Sequence, residues 1–404
     1  MKGGVWFSLI DKVYDKRNLH AAFRKVSANR GSPGVDHVTI GRFADKLDEN
    51  IEKLYRSLKE GSYCPQKIWR VQIPKGGKKG MRPLGIPTVR DRVVQAAVQH
   101  VIEPIFDKDF SGYSYGFRPK RGCKDALRRV DELLKAGYRY VVDADIESYF
   151  DSIPHERLMV LVEQKVADGR MLKLIESYLK QGVMEGMNEW TLEEGTPQGG
   201  VISPLLANIY LDSMDWLMED RGYSMVRYAD DSVVLCRTEE EAIEALEQVR
   251  QWMKEAGLKL HPGKTRIVEM KERGANFDFL GYNFGIGRRN GKIGRRPRRK
   301  SLQKFMDTIR SRTGRCNGHS MKQIVRIINP TLRGWYEYYK HSNKWTFIDL
   351  DKWIRMRLRS IMRKRRGGRG RGRGLDHNHW RNKFFADLGL FSLTAAWESA
   401  VSPR

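Results

Sequence analysis

The chain has 404 residues, 40% of them hydrophobic, which is enough for two or three domains with a buried core and excludes a disordered polymer. Its formal charge is +26, from 75 basic and 49 acidic side chains. That excess repels itself in a compact fold and suits a polyanionic partner, nucleic acid being the commonest, although a merely sticky basic protein has the same signature. No stretch approaches the ~18 apolar residues of a membrane helix, and the start lacks a signal-peptide core. Cys64, Cys123, Cys236 and Cys316 form no CxxC pair, so neither a zinc knuckle nor a disulfide framework is expected. A soluble protein of the reducing cytoplasm, with no membrane partner, is the expectation.

In chain order, Arg30-Gly31-Ser32-Pro33-Gly34 punctuates a mixed, basic opening. Trp69–Ile73 and Arg82–Ile86 read as two strands of a hairpin, joined by the basic loop from Lys75 to Gly80. Asp91–Phe106 is helical, with Val94, Ala97, Val98 and Val101 as its apolar stripe. Tyr138–Ile146 is rich in β-formers, and its valines predict a buried strand. Ser203-Pro204 opens a helix as N-cap and first helical residue, running towards Met218. Val226–Leu235 reads strand, turn, strand. Glu239–Ala256 is an amphipathic helix closed by Gly257, and Phe277–Phe284 a short strand. From Gly285 to Lys300 there are eight basic residues and no acidic one. The pattern is then helical to about Met362, and Arg363–Arg373 is an Arg-Gly run too glycine-rich for a helix. Interleaved strands and helices followed by a helical basic tail predict an α+β part and then an all-α domain.

The carboxylates carry the chemical signal. Nucleotidyl transfer needs a charge clamp more than an acid or base, and paired magnesium ions on aspartate oxygens provide one. Tyr228-Ala229-Asp230-Asp231 lies between β-prone runs, where a turn can bring both carboxylates to one place. By itself it could equally be a surface turn. Asp145 ends a buried strand; Asp143, on the same strand face, and Asp151 are rivals for its role. Phe150, in the turn after Asp145, could close off the 2′ side of a sugar or simply be core. Gly195-Thr196-Pro197-Gln198-Gly199-Gly200 could hold backbone and the Gln198 amide against a nucleotide, or be a plain loop. Lys75 and Arg82 could close over a triphosphate, or form a solvated basic loop.

Seven blocks in order make the sequence resemble group II intron-encoded reverse transcriptases: Arg82–Pro87; Gly116-Phe117-Arg118-Pro119; Asp145–Asp151; Gly195–Gln198 continuing through Ser203–Asn208; Tyr228–Asp231; Gly257–Leu260 with Lys264; and Phe279-Leu280-Gly281. The resemblance implies a right-hand polymerase, α+β fingers and palm followed by an all-α thumb or maturase domain. It implies that Asp145, Asp230 and Asp231 are catalytic and, with the Ile146 carbonyl, hold two Mg2+ ions, Mn2+ being a substitute. Lys75, Arg82, Phe150, Gln198 and Lys264 become nucleotide-binding, with Phe150 the gate against ribonucleotides. Asn329–Trp335 with Tyr338 and Tyr339, and Leu350–Arg355 with Arg357 and Arg359, look like the maturase domain. Arg30, Arg118, Arg333, Trp335, Tyr338, Arg355 and Arg359 are then the expected RNA contacts, basic side chains set beside aromatics; a helical core with a basic face would show the same composition.

The divisions expected are 1–120 for a short N-terminal extension and fingers, 121–285 for the palm, 286–375 for the thumb with its Arg-Gly run, and 376–404 for a tail without a nuclease domain. Asp376-His377-Asn378-His379 lacks the cysteine pairs of that nuclease and reads as structural or RNA-facing. The Arg-Gly run reads as a disordered RNA contact. The expected activity is RNA-directed DNA synthesis. Template and intron RNA, a DNA primer or target and deoxynucleoside triphosphates are its partners, and a homodimer is left open. The alternatives are a domesticated enzyme of defence, repair or a CRISPR locus, or a maturase with little polymerase activity.

Overall fold

The computed structural model describes residues 4–74, 80–272, 274–286, 293–372 and 374–401. It is a mixed helix-and-sheet protein whose chain separates into two compact units, Met1–Glu269 and Met270–Arg404.

Among its described residues the first unit holds eight strands in two sheets. β1 (Ile68–Pro74) pairs antiparallel with β2 (Met81–Ile86), in the register Trp69 opposite Ile86. This is the expected hairpin. β3 (Tyr140–Asp145) comes next. The short β4 (Gly182–Glu185) and β5 (Asn188–Thr191) form a second hairpin that extends the first sheet in the order β2-β1-β4-β5. β6 (Ser224–Tyr228), β7 (Asp231–Cys236) and β8 (Arg266–Glu269) join β3 in a sheet of order β6-β7-β3-β8. Its two central strands carry the apolar runs Val141-Val142 and Val233–Cys236, buried as strands flanked on both sides must be.

Beside these sheets lies the helix Val89–Asp107. The expected stripe understates it. Val93, Val94, Ala96, Ala97, Val98 and Ile102 are all fully buried, and so are polar Asp91 and Gln95. Each buried polar group has a use: Asp91 accepts from the Tyr63 hydroxyl at 2.6 Å and Gln66 N at 3.0 Å, and Gln95 accepts from Val201 N at 2.7 Å. Asp168 ties down the start of the chain, its carboxylate accepting from the backbone of Leu9, Ile10, Arg170 and Met171 at 2.7–3.1 Å.

The helix Ser203–Asp220 starts as expected but is capped differently. Ile202 occupies the N-cap, and the Ser203 hydroxyl instead donates to Pro197 O at 2.9 Å, bracing the preceding glycine loop.

The second unit is a three-stranded sheet and a helical bundle. The single strand expected over Phe277–Phe284 is two strands, β9 (Asn276–Phe279) and β10 (Tyr282–Ile286), folded about Leu280-Gly281 with φ of 45° and 83°. An aromatic-rich run such as Phe277–Phe284 conceals a turn of this kind unless the glycine is read as its pivot. β11 (Ile293–Pro297) completes the order β11-β10-β9, so the compositional shift near Gly285 falls inside this sheet. The long helices Met321–Tyr339 and Lys344–Arg365 pack around Ile328, Leu332, Phe347, Ile354 and Leu358.

The Arg-Gly run is not a disordered tail where the structure describes it. Gly368 N donates to Arg363 O at 3.0 Å, Arg363 Nε donates to Arg369 O at 2.9 Å, and Gly372 is buried against Arg359. Among the described residues no helix is long and apolar enough to cross a membrane. All four cysteines are free thiols.

Candidate active site

Antiparallel pairing sets the geometry. In the register of β3 with β7, Asp145 stands opposite Asp231, and in that of β6 with β7, Tyr228 stands opposite Asp231. Ala229 and Asp230 are therefore the two residues of a tight turn, and Ala229 takes φ 59°. Three carboxylates from distant parts of the sequence thus meet at one end of the sheet. Side chains of directly opposed residues lie on the same face. Asp145 and Asp230 are half-buried and Asp231 is exposed.

The turn is held from beneath by groups the sequence did not advertise. Arg227 is only 1% exposed. Its guanidinium makes a bidentate pair with buried Asp215, and one nitrogen also donates to Ala229 O at 2.9 Å and to Asn208 Oδ1 at 3.0 Å. Asn208 in turn donates to Gly116 O at 2.8 Å. Gly116 passes so close to Ala229 that a β-carbon would strike the Ala229 nitrogen. This gives the Gly116 block its physical reason. Arg118, expected to bind RNA, is buried instead. It donates to Asp107 Oδ1 at 2.6 Å, Ser111 O at 2.6 Å and Ser114 O at 3.0 Å, so its donors are spent inside the protein.

Of the rivals to Asp145, Asp143 faces Arg266 at 3.6 Å and Asp151 turns to Gln198. The segment after Gly257 runs along the end of β3: Glu147 N donates to Lys259 O at 2.8 Å, buried Ile146 bridges Leu260, and His261 N donates to Asp145 O at 2.8 Å. It delivers Lys264, whose ammonium lies 2.9 Å from Asp145 Oδ1.

Burial pushes the Asp230 carboxyl above its usual range. The neighbouring Asp145 charge adds to that, while Arg227 and Lys264 oppose it. An anion held at such a cost is one a cation would stabilise. Among the described residues no group of three or more His, Cys, Asp or Glu side chains is placed to hold a metal ion. Magnesium does not need one, since it is commonly held by one or two carboxylates with water and phosphate completing the octahedron. The hard oxygens of Asp145 and Asp230 fit it.

The glycine loop stands between β2 and the Phe150 turn. Thr196 N donates to Phe150 O at 2.6 Å, Gly195 N to Ile153 O at 2.8 Å, and Gly85 N of β2 to Gln198 O at 2.6 Å. Gln198 Nε2 donates to Asp151 Oδ2 at 3.0 Å. Phe150 is half-buried against the core, its ring 5.5 Å from that of Tyr149. Arg82 is exposed on β2, opposite Ile73. Lys75 lies outside the described residues. A cavity of about 320 Å³ opens beside the loop, lined among others by Arg70, Gly85, Asp151, Trp190 and Gln198.

In the second unit the expected RNA contacts divide. Arg333 is exposed, lying over the Phe391 ring at 4.9 Å. Arg355 is half-buried, 3.9 Å from Asp351. Trp335 is packed between Phe305 at 4.6 Å and Tyr339 at 4.7 Å, and the Tyr338 hydroxyl donates to Leu280 O at 2.6 Å. Arg359 is 3% exposed and donates to Trp380 O and Asn382 Oδ1, both at 2.8 Å. Trp335 and Arg359 are structural members of this bundle, a correction to their expected role: aromatic and guanidinium groups also bind protein. In the first unit Arg30 is exposed with φ 48°. His377 and His379 are exposed, and Asp376 pairs with Arg363 at 2.8 Å.

Comparison with known proteins places the chain in a family. The family model "Reverse transcriptase (RNA-dependent DNA polymerase)" matches residues 73–284, and "Group II intron, maturase-specific domain" matches residues 302–380. Group II intron-encoded protein LtrA of Lactococcus lactis subsp. cremoris is 40% identical over 198 residues, 48% of this chain but only 32% of LtrA. Protein YkfC of Escherichia coli (strain K12) is 34% identical over 305 residues, 65% of this chain and 79% of YkfC. A solved structure titled "Partial Cas6-RT-Cas1--Cas2 complex" is similar over 61% of this chain and 41% of that one, with 25% identity and a TM-score of 0.39. The chain belongs to the reverse transcriptase family, and it pairs that domain with the maturase-specific domain of group II intron proteins.

Proposed function

We propose that this protein is an RNA-directed DNA polymerase of the group II intron type, copying RNA into DNA and binding intron RNA to assist splicing and retrohoming. The carrying observation is the strand register that sets Asp145 opposite Asp231 with Asp230 in the adjoining turn. In this reading the β1–β2 sheet belongs to the fingers, the β3–β6–β7–β8 sheet to the palm, and the helical unit to the thumb.

Asp145 and Asp230 would hold magnesium, with Asp231 and the Ile146 carbonyl beside them. Bound there, the ions would stabilise the attacking and leaving oxygens of the phosphoryl transfer. Lys264 now occupies the Asp145 oxygen, so it serves as the local counter-charge and must move aside for a cation. The protein's own part is positional. Gln198 is fixed by the loop that ties β2 to the Phe150 turn. Phe150 presents an aromatic wall five residues after Asp145. Arg82 offers a cation from β2. Exposed Arg30 and Arg333, with half-buried Arg355, remain as RNA contacts.

The test is primer extension on an RNA template with magnesium. Wild type extends the primer. Asp230→Ala loses extension by about a thousandfold or more, while RNA binding stays within about twofold, because removing one carboxylate takes no cation away from the phosphate contacts. Equal extension by both proteins would remove Asp230 from the site.

A further inference from the structure

Phe117 is held in a conformation that its side chain disfavours. Its φ is 56°, in the left-handed region that a bulky residue enters only under constraint. The constraint comes from both neighbours. Gly116 is pressed against Ala229 N and its carbonyl accepts from Asn208 at 2.8 Å, while Arg118 is anchored in the interior through Asp107 and Ser111. Relaxation at Phe117 would have to break one of these ties. The fold gains little packing in return: the ring stays 49% exposed and touches Tyr228 edge to face, 6.2 Å between centroids. An exposed aromatic kept at a strained position points to a use outside the fold.

Its place on the sheet indicates which use. The chain from Tyr113 to Tyr115 runs along the free edge of β6: Arg227 N donates to Tyr113 O at 3.0 Å, and Tyr115 N donates to Arg227 O at 2.9 Å. Tyr228 shares a face with Asp231 and Asp145, so Phe117 stands at the β6 edge of the carboxylate face. Phe150, in the turn after β3, and Lys264, before β8, lie at the opposite edge of the order β6-β7-β3-β8. Phosphoryl transfer runs in line, with the attacking oxygen opposite the leaving one. A triphosphate on the β3–β8 side therefore takes its attacking oxygen from the β6 side. Exposed cations flank the ring there. Lys120 is held at φ 59°, and Lys124 opens the helix Cys123–Lys135, whose Cys123 thiol is hydrogen-bonded to the Tyr228 hydroxyl. Cations beside an apolar ring match the phosphates and sugars of one nucleic-acid strand.

We infer that Phe117 is a primer-strand contact, its ring packing against the sugar of the terminal primer nucleotide so that the 3′-hydroxyl is held over the carboxylates. This rests on the polymerase reading of the site. A phenyl ring has no hydrogen-bonding group and reads no base, which suits a surface that every primer sequence must cross. The left-handed backbone is what turns the ring outward while Gly116 and Arg118 face in.

Single-nucleotide extension separates the two substrates when the primer–template is varied at saturating nucleotide, and then the reverse. Phe117→Gly keeps the backbone content, because glycine adopts φ 56° freely. It should raise KM for primer–template about tenfold and leave KM for the deoxynucleotide within about twofold. Phe117→Tyr keeps the ring and should retain the wild-type KM for primer–template. A ring that only braces the catalytic turn would instead shift kcat, or both KM values together. Phe117→Asn, whose side chain also tolerates the left-handed region, replaces the glycine variant if that one does not fold. An unchanged primer–template KM in a folded, extending variant, or an equal rise in both constants, overturns the contact while the polymerase reading stands. Absence of templated extension by the wild-type protein removes both.

Discussion

The acidic residues of the first unit and the basic residues of the second make opposite use of burial. At the end of the β3–β7 pair, the strand register gathers Asp145, Asp230 and Asp231, and Asp230 is held by burial and the Asp145 charge above its usual range despite Arg227 and Lys264, an arrangement that costs stability and suits an external cation. In the helical unit, Arg359 lies in the interior with Nε and Nη2 donating to Trp380 O and Asn382 Oδ1, so the fold itself uses its guanidinium. Charge in a sequence therefore signals function where the fold leaves it unsatisfied. It signals architecture where the fold satisfies it.

The comparison breaks most visibly at Arg227, a basic residue that serves the acidic site. Replacing it by methionine leaves Asp215 buried without its partner and should cost about 3–5 kcal/mol, read by chemical denaturation. Adding Asp215→Leu should recover much of that stability, since an apolar pair often replaces a buried ion pair without loss. Extension should not return with it, because Ala229 O and Asn208 still lack their donor. If activity follows stability in the double variant, Arg227 holds the fold and not the turn.

That residue also marks what the sequence could show. β3 and β7 were legible because valine pairs mark them, β6 because Val226 and Tyr228 lead into the acidic turn, and the β1–β2 hairpin because its strands bracket a glycine-rich loop. The β4–β5 hairpin was not: four-residue strands with Gly186-Met187 at the tip are too short for a two-residue period to register. Arg227 sits inside the strand Met225-Val226-Arg227-Tyr228, where nothing local says that its partner is Asp215 on a helix. Arg118 and Arg359 failed for the complementary reason. Counting cations beside aromatics cannot separate a guanidinium that caps interior carbonyls from one that awaits phosphate.

Arg359 and Arg333 sharpen the second half of the comparison. Arg359→Ala should lose about 2–4 kcal/mol of stability and leave the salt dependence of RNA binding unchanged. Arg333→Ala should leave stability within about 0.5 kcal/mol and reduce the slope of log affinity against log salt by about one. The reverse outcome, a slope that responds to Arg359 and not to Arg333, would show that exposure does not sort these arginines.

The smallest effect concerns an acid whose burial outweighs the nearby cations Arg227 and Lys165. Asp212 is pushed up to about 6, first by burial and then by the nearby Asp215 charge, with Ser111 N donating to it at 3.3 Å. A carboxyl raised in the folded state binds a proton more tightly there than in the unfolded chain. Its contribution is therefore most favourable below pH 3.8 and is lost as pH rises through about 6. At pH 7.5 the folded protein carries Asp212 as a half-buried anion close to the buried Asp215. Asp212→Asn keeps an acceptor for Ser111 and removes the charge, so it should stabilise the protein by about 1–2 kcal/mol at pH 7.5. Near pH 4, where Asp212 is already protonated in the folded protein, the gain should largely vanish. Paired melts at the two pH values measure the difference. An equal gain at both would assign the effect to packing, and Asp212 would then belong with the satisfied residues of the helical unit.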